Sequence, residues 1–120
     1  MKNKPNVIIV DDDEDLLETT STFLELSGIE IKGKGYNGCD AENLYQQTCP
    51  DLVLLDMKMP DYDGAYAIKK IKAYDPNAKI FVLTGYVDYP FKKDEVKQIF
   101  QKPYDIKKLL LEIKQACSKN

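Results

Sequence analysis

In the stretch LVLLD, at residues 52–56, four apolar residues run directly into an aspartate. Near-continuous apolar runs of this length are typical of parallel strands that are buried on both faces. The carboxyl ends of parallel strands share one edge of a sheet, where α/β proteins bind their ligands. Three other runs end in polar residues in the same way: VIIV at 7–10 before Asp11-Asp12, IFVL at 80–83 before Thr84, and IFQ at 99–101 before Lys102-Pro103.

Helical patterns alternate with these runs, which predicts βαβ units around a parallel sheet. The first helix is expected over about Glu14 to Ser27 and should end at Gly28, a residue that tolerates the left-handed conformation of a C-cap. We expect Asp40, Asp63 and Asp105 to start the second, third and last helices. The residues expected on the buried faces are Leu16, Thr20, Phe23, Leu24 and Ser27, then Ala41, Leu44, Tyr45 and Thr48, then Ala67, Ile68 and Ile71, and finally Ile106, Leu109, Leu110, Ile113, Ala116 and Cys117.

The segment between residues 85 and 98 fits the alternation least well. Pro90 interrupts it, and Phe91–Lys97 is long enough only for a helix of about two turns. The alternating run Ile29–Lys32 is typical of an edge strand that turns its lysines toward solvent. The sequence therefore predicts a single α/β domain over residues 1–120, a three-layer sandwich with a shortened fourth helix.

Composition argues against several classes of function. The chain has 17 basic and 20 acidic residues, and a net charge of −3 disfavours direct nucleic-acid binding. It contains no histidine, which excludes Ser-His-Asp and Cys-His catalysis, histidine metal sites and a phosphohistidine donor. Cys39, Cys49 and Cys117 form no metal-binding pair, and we expect reduced thiols. No leader or apolar run predicts membrane insertion, so the expected localisation is cytoplasmic.

The polar residues at the predicted strand ends favour phosphoryl chemistry. Asp11, Asp12 and Asp56 should lie close together and repel one another unless a cation compensates. Oxygen ligands without histidine or thiolate favour a hard ion, and Mg²⁺ fits best. Thr84 would supply a hydroxyl donor and Lys102 a mobile positive charge for a phosphoryl oxygen. These groups suit phosphoryl transfer, with Asp56 as the nucleophile that becomes an aspartyl-phosphate.

The other acids near these positions are interpreted as structural. Asp13, Glu14 and Asp15 are expected in the first turn of a helix, where the helix dipole favours negative charge. Asp61 and Asp63 are expected in a turn and a helix cap.

The chain resembles the receiver domain of two-component response regulators, the CheY-like family. The resemblance covers essentially the whole chain and rests on VDD at 10–12, DMKMPDYDG at 56–64, TG at 84–85 and KP at 102–103. Its most specific part is the pattern D-x-x-M-P-x-x-x-G. It implies a flavodoxin-like fold around a five-stranded parallel sheet in the strand order 2-1-3-4-5.

The resemblance also implies a reaction and a metal. Asp56 would accept a phosphoryl group from a histidine of a sensor histidine kinase or of a histidine phosphotransfer protein. Asp12 and Asp56 would ligate Mg²⁺ directly, and Asp11 would contribute through water. The backbone carbonyl of Lys58 would be a further ligand.

The same resemblance implies a switch rather than an ordinary enzyme. Thr84 and Lys102 would contact the phosphoryl group and couple it to a conformational change, while the side chains of Lys58 and Tyr86 would flank the pocket. Such a domain catalyses only its own Mg²⁺-dependent phosphorylation and dephosphorylation. It would change the binding of a downstream target protein, with a homodimer as a further option.

Two features depart from the family pattern. The family usually has an aromatic switch residue three positions before the lysine, where this chain has Ile99; Phe100 is expected on the opposite face of its strand. The segment from Thr84 to Lys102 is also shorter than usual by about one helical turn. The shortened region commonly forms the output face of the family.

Two alternatives to a phosphorylated switch are open. One is a pseudo-receiver that uses the fold as a constitutive protein-interaction module, which the change at Ile99 favours and the intact acids disfavour. The other is a haloacid-dehalogenase-type phosphatase with Asp11 as its nucleophile. The chain is short for that fold with its cap, and the proline-bearing segment after Asp56 would have no explanation.

Overall fold

The protein is described by a computed structural model over residues 4–85 and 95–118. The strands are β1 (Asn6–Val10), β2 (Glu30–Gly35), β3 (Leu52–Asp56), β4 (Ile80–Thr84) and β5 (Gln98–Gln101). The helices in this part of the chain are α1 (Glu14–Leu26), α2 (Gly38–Thr48), α3 (Gly64–Tyr74) and α4 (Ile106–Ala116). All neighbouring strands pair in parallel, in the order β2-β1-β3-β4-β5, which confirms the predicted sheet.

Apolar side chains on the two faces of the sheet form separate clusters under different helices. In β1, Ile8 and Val10 face one cluster, whereas Val7 and Ile9 face the other. A strand covered on both faces needs apolar residues at every position, which explains the continuous runs and confirms the three-layer sandwich. The α2–α3 cluster includes Ile8, Val10, Ala41, Tyr45, Val53, Leu55, Ala67, Ile68, Ile71 and Val82. The α1–α4 cluster includes Val7, Ile9, Leu17, Leu24, Leu52, Leu54, Phe81, Leu83, Leu109 and Ile113.

The start of α2 differs from the prediction. Its N-cap is Asn37, not Asp40: the Asn37 side chain accepts a hydrogen bond from the Asp40 backbone N–H at 2.8 Å. The Asp40 carboxylate reaches back to accept from the backbone N–H of Tyr36, also at 2.8 Å. This reciprocal arrangement is like a capping box, in which two polar residues three positions apart share the helix start. The prediction of Asp40 as the N-cap is therefore wrong by three positions, because Asp40 is the second member of this pair.

The other helix ends follow the prediction closely. Asp63 and Asp105 are the N-caps of α3 and α4, and α1 ends before Gly28, which has a φ of +93°. Asp13 proves to be the N-cap of α1 rather than a first-turn acid, since its carboxylate accepts from the Leu16 backbone N–H at 3.1 Å.

The buried faces of the helices are narrower than predicted. In α1, the buried residues are Leu17, Thr20, Ser21 and Leu24. The buried face is therefore rotated slightly about the helix axis from the predicted face, which had Leu16 in place of Leu17. A helix packed on a sheet buries only its central stripe and leaves flanking apolar positions half-covered. The predicted core residues that are only half-buried are Leu16, Phe23, Ser27, Leu44, Thr48, Ile106, Leu110 and Ala116.

The two neighbours Ile99 and Phe100 point to opposite faces of β5, as predicted. Ile99 packs against the α2–α3 cluster. Phe100 is buried in the α1–α4 cluster, where its ring centroid lies 5.4 Å from that of Phe81. The short fourth helix expected before β5 and the residue Tyr86 lie outside the described residues.

Two further expectations concern the cysteines and membranes. Cys39, Cys49 and Cys117 all lie in the described part of the chain, and none forms a disulfide. Within residues 4–85 and 95–118, no helix combines the length and the apolar character needed to cross a membrane.

The C-terminus of α2 offers a test of backbone strain. Cys49 is exposed and adopts a left-handed conformation, with φ 45° and ψ 61°. A side chain in this region is unfavourable relative to glycine, so we predict that Cys49→Gly increases the free energy of unfolding by about 1 kcal/mol. Cys49→Ala keeps the Cβ atom and should leave it nearly unchanged. Urea denaturation under reducing conditions measures both variants, and equal stabilities would contradict the prediction.

Candidate functional site

Three carboxylates meet at the C-terminal edge of the sheet. β1 and β3 are neighbours, with Val10 opposite Leu55, so Asp11 and Asp56 emerge side by side. Asp12 joins them, and one carboxylate oxygen from each of the three lies within 4.8 Å of the others. Asp11 and Asp56 are buried whereas Asp12 is exposed. The structure thus brings together the acids that the sequence predicted to converge.

The Asp11 carboxylate is held at both of its oxygens. Oδ1 accepts a hydrogen bond from the backbone N–H of Asp13 at 2.9 Å, and Oδ2 accepts from the Lys102 ammonium at 2.9 Å. The first bond fixes the turn that leads into α1, and the second joins the ends of β1 and β5. Asp11 therefore stabilises the structure of the site and also contributes negative charge to it.

Lys102 bridges two of the three acids. Its Nζ lies 2.9 Å from Asp11 Oδ2 and 3.3 Å from Asp56 Oδ1. Its backbone N–H donates to the carbonyl of Thr84 at 2.7 Å, which aligns the segment after β5 with the end of β4. Burial opposes the charged ammonium, but hydrogen bonding and attraction from Asp11 and Asp56 outweigh burial and raise the pKa of Lys102.

The surroundings of Asp56 strongly change its pKa. Burial raises the pKa of Asp56 to about 7, and the charge of Asp11 raises it as well. Lys102 lowers it only in part, and Asp12 adds a smaller increase. A fully ionised Asp56 at neutral pH therefore needs positive charge beyond that of Lys102.

The donor set fits a magnesium ion. Three ionised carboxylates and one ammonium leave a net charge of −2, which a single divalent cation balances. The available side-chain ligands at this point are carboxylate oxygens, which Mg²⁺ prefers. The cluster therefore has the charge and the ligand type of a Mg²⁺ site.

An open cavity of about 670 Å³ lies over the cluster. Asp12, Asp56 and Lys102 line it, together with Lys58, Pro60 and Gly85. Asp56 is only 4% exposed, but its exposed part faces this cavity.

Thr84 is the last residue of β4. It is buried, with 1% of its surface exposed, and the cavity wall at the end of β4 is formed by Gly85 instead. A contact between the Thr84 hydroxyl and a phosphoryl group stays a prediction.

The loop after β3 folds tightly against the site because of Gly64. A Cβ atom at this position would lie 2.6 Å from the Met57 sulfur and 2.8 Å from the carbonyl oxygen of Asp56. The Gly64 backbone N–H donates to the Met57 carbonyl at 3.0 Å, which closes the loop. The final glycine of the D-x-x-M-P-x-x-x-G pattern thus permits the close return of the chain beneath Asp56.

Sequence reasoning missed one residue beside the cluster, Tyr104. It follows Lys102-Pro103 and is half-buried, and its hydroxyl lies 2.8 Å from the Thr20 hydroxyl on α1. An aromatic residue after Lys-Pro was visible in the sequence. Its partner, 84 residues away, was not predictable from any local pattern.

Comparison with known proteins gives consistent matches. The response regulator receiver domain family matches residues 7–114. The chain is 40% identical over 79 residues to the chemotaxis protein CheY of Thermotoga maritima, covering 66% of each protein. It is 30% identical over 108 residues to the chemotaxis protein CheY of Bacillus subtilis, covering 87% of this chain and 90% of that protein. The matched segments span between 27% and 66% of the length of the first three curated relatives.

A solved structure shows the same architecture. The CheX-CheY-BeF3-Mg²⁺ complex from Borrelia burgdorferi superimposes with a TM-score of 0.86 at 26% sequence identity. The match covers 96% of this chain and 90% of that one.

Crowding of the three acids predicts an unusual gain in stability on mutation. In the metal-free protein, Asp56→Asn removes a buried charge next to Asp11, and we expect the melting temperature at neutral pH to increase by about 4 °C or more. The unfolded chain releases this proton near pH 3.8 and the folded chain near 7, so the gain should grow as the pH increases between these values.

Asp12→Asn is the matched control, because it removes the same charge from an exposed side chain of the same cluster. Its gain should be smaller. Thermal unfolding followed by circular dichroism with a chelator compares the two variants. A larger gain for Asp12→Asn, or a loss of stability for Asp56→Asn, would contradict the described crowding.

Proposed function

Because the chain belongs to the response regulator receiver domain family, we propose that it is a phosphorylatable receiver in which Asp56 accepts a phosphoryl group in a Mg²⁺-dependent reaction. Receiver domains of two-component systems interact with histidine kinases and downstream effectors. The observation that carries the proposal is the meeting of Asp56, its neighbouring acids and the Lys102 ammonium under one open cavity.

The geometry supports Asp56 as the nucleophile over its neighbours. Asp56 is the last residue of β3 and lines the cavity. Asp11 has both oxygens engaged in hydrogen bonds, which disfavours it as an attacking group and gives the phosphatase alternative no support. Asp12 is exposed and better placed to hold a metal. An Asp56 oxygen would attack the phosphorus of a phosphohistidine or acyl phosphate, and the donor group would leave with its bonding electron pair.

We assign the metal ligands by the same reasoning. Asp12 and Asp56 are the proposed direct ligands, with the backbone carbonyl of Lys58 as a third. Asp11 is the proposed water-mediated contact, since its own oxygens already accept hydrogen bonds. Bound Mg²⁺ would offset the charge that accumulates when a phosphoryl group meets the carboxylates. That the CheY of Borrelia burgdorferi was solved with BeF3 and Mg²⁺ supports this assignment.

Lys102 and Thr84 would stabilise the transferred group. The Lys102 ammonium contacts Asp56 before transfer, so it can bind a phosphoryl oxygen with a small movement of its flexible side chain. Thr84 would donate its hydroxyl to another phosphoryl oxygen, and the proposal requires β4 to shift so that this group reaches the cavity. Such a shift would change the shape of the partner-binding surface, and with it the affinity for a downstream target protein or for a second copy of the chain.

One observation favours a second candidate, a constitutive protein-interaction module. Ile99 occupies the position expected to hold an aromatic switch, and it packs against the α2–α3 cluster beside Val96. Phe100 lies on the other face, against Phe81, and could not replace it without turning the strand over. The two candidates differ in whether Asp56 is modified.

Chemical phosphorylation separates the two candidates. With Mg²⁺ and acetyl phosphate, the protein should gain one phosphoryl adduct at Asp56, with release of acetate. Intact-mass and peptide mass spectrometry should detect the adduct in wild type and find none in Asp56→Asn. Chelation of Mg²⁺ should suppress it.

Asp61→Asn is the control, because it changes an exposed aspartate in the same loop and should keep the adduct. An identical adduct in Asp56→Asn, or no adduct in wild type, would contradict the proposed function and favour the interaction module.

A further inference from the structure

One hydrogen bond ties α1 to the segment that carries Lys102. Thr20 Oγ1 and Tyr104 Oη lie 2.8 Å apart, although 84 residues separate them in sequence. Thr20 is completely buried within α1, and Tyr104 is half-buried two residues after Lys102. A buried hydroxyl that lost its partner would be costly, so this bond constrains where the Tyr104 side chain can lie.

Lys102 depends on its backbone for correct placement. Its side chain is long and flexible, and its ammonium reaches the two buried acids only if the main chain starts from the right point. On one side of Lys102, its own N–H is bonded to the Thr84 carbonyl. On the other side, the Tyr104 side chain packs against the α1–α4 cluster and ends in the bond to Thr20. The chain is therefore held on both sides of the lysine.

Two hydrogen bonds join the segment at residues 102–104 to α1 and to the residues just before it. Asp11, which precedes α1, receives the Lys102 ammonium, while Thr20 within α1 bonds Tyr104. Burial raises the pKa of Tyr104, the hydrogen bond with Thr20 opposes this increase, and Asp11 adds a smaller one.

We propose that Tyr104 and Thr20 are positioning residues for phosphoryl transfer, whose mutual hydrogen bond holds Lys102 where its ammonium contacts both Asp11 and Asp56. The inference rests on the proposed function and adds a residue pair to its machinery. Neither residue touches the reacting atoms; they act through Lys102. Electrostatic stabilisation of this kind depends on charges that are fixed in place before the reaction.

The test compares two variants, each of which lacks one tyrosine hydroxyl. Tyr104→Phe keeps the ring and removes the bond to Thr20. Tyr45→Phe is the matched control, since its hydroxyl bonds Asp75 at 2.7 Å on the opposite face of the sheet. With acetyl phosphate and saturating Mg²⁺, Tyr104→Phe should slow the phosphorylation of Asp56 by roughly fivefold or more. Tyr45→Phe should stay within about twofold of wild type.

Two variants on α1 test the hydrogen bond itself. Thr20→Val should slow phosphorylation about as much as Tyr104→Phe, and the double variant should be no slower than either alone. Thr20→Ser keeps the hydroxyl and should retain the wild-type rate. Equal rates for Tyr104→Phe and Tyr45→Phe, or independent effects that multiply in the double variant, would overturn the proposal.

A second measurement does not depend on phosphorylation. The ¹⁵N-resolved ammonium resonance of Lys102, assigned by its loss in Lys102→Met, should be seen in wild type and Tyr45→Phe. It should broaden or disappear in Tyr104→Phe as the ammonium leaves its two acids. An unchanged resonance in Tyr104→Phe would overturn the positioning role. The two proposals can also fail separately. If wild type is never phosphorylated at Asp56 but Tyr104→Phe still loses the Lys102 resonance, the proposed function is wrong and the positioning role is supported.

Discussion

The contact of the Lys102 ammonium with Asp11 and Asp56 is the interaction on which the rest of the site depends. Two buried carboxylates on neighbouring strands repel each other, and an ammonium at 2.9 Å and 3.3 Å offsets part of that repulsion. The balance is incomplete: with all three acids ionised, the cluster would have a net charge of −2. In the proposed function, a divalent cation bound in the open cavity would balance this residual charge and allow a phosphoryl group to approach Asp56.

The structural features that place Lys102 beside the two acids also stabilise the fold. Continuous apolar strands fix the sheet, and their common direction delivers the polar residues that follow them to one edge. Asp13 caps α1 through its side chain and holds Asp11 through its backbone N–H. Gly64 allows the loop after Asp56 to return closely. Positions that look purely structural thus determine the geometry of the acids.

Sequence predicted those parts of the structure that depend on local pattern. The apolar runs, the cap at Asp63 and the opposite faces of Ile99 and Phe100 follow from periodicity and backbone geometry, and all were confirmed. The cap of α2 was missed because a capping box contains two acceptors, and a local rule does not choose between them. The bond between Thr20 and Tyr104 depends on packing across the whole domain, which no single-sequence pattern encodes.

We propose that one metal ion at the ends of β1 and β3 balances the charge that Lys102 leaves uncompensated. Anomalous diffraction from crystals grown with Mn²⁺, a divalent substitute for Mg²⁺, tests it most directly. We expect one strong peak within coordination distance of carboxylate oxygens from Asp12 and Asp56, with Asp11 still bonded to Lys102. No peak at the cluster, or a metal that displaces Lys102 from Asp11, would contradict it.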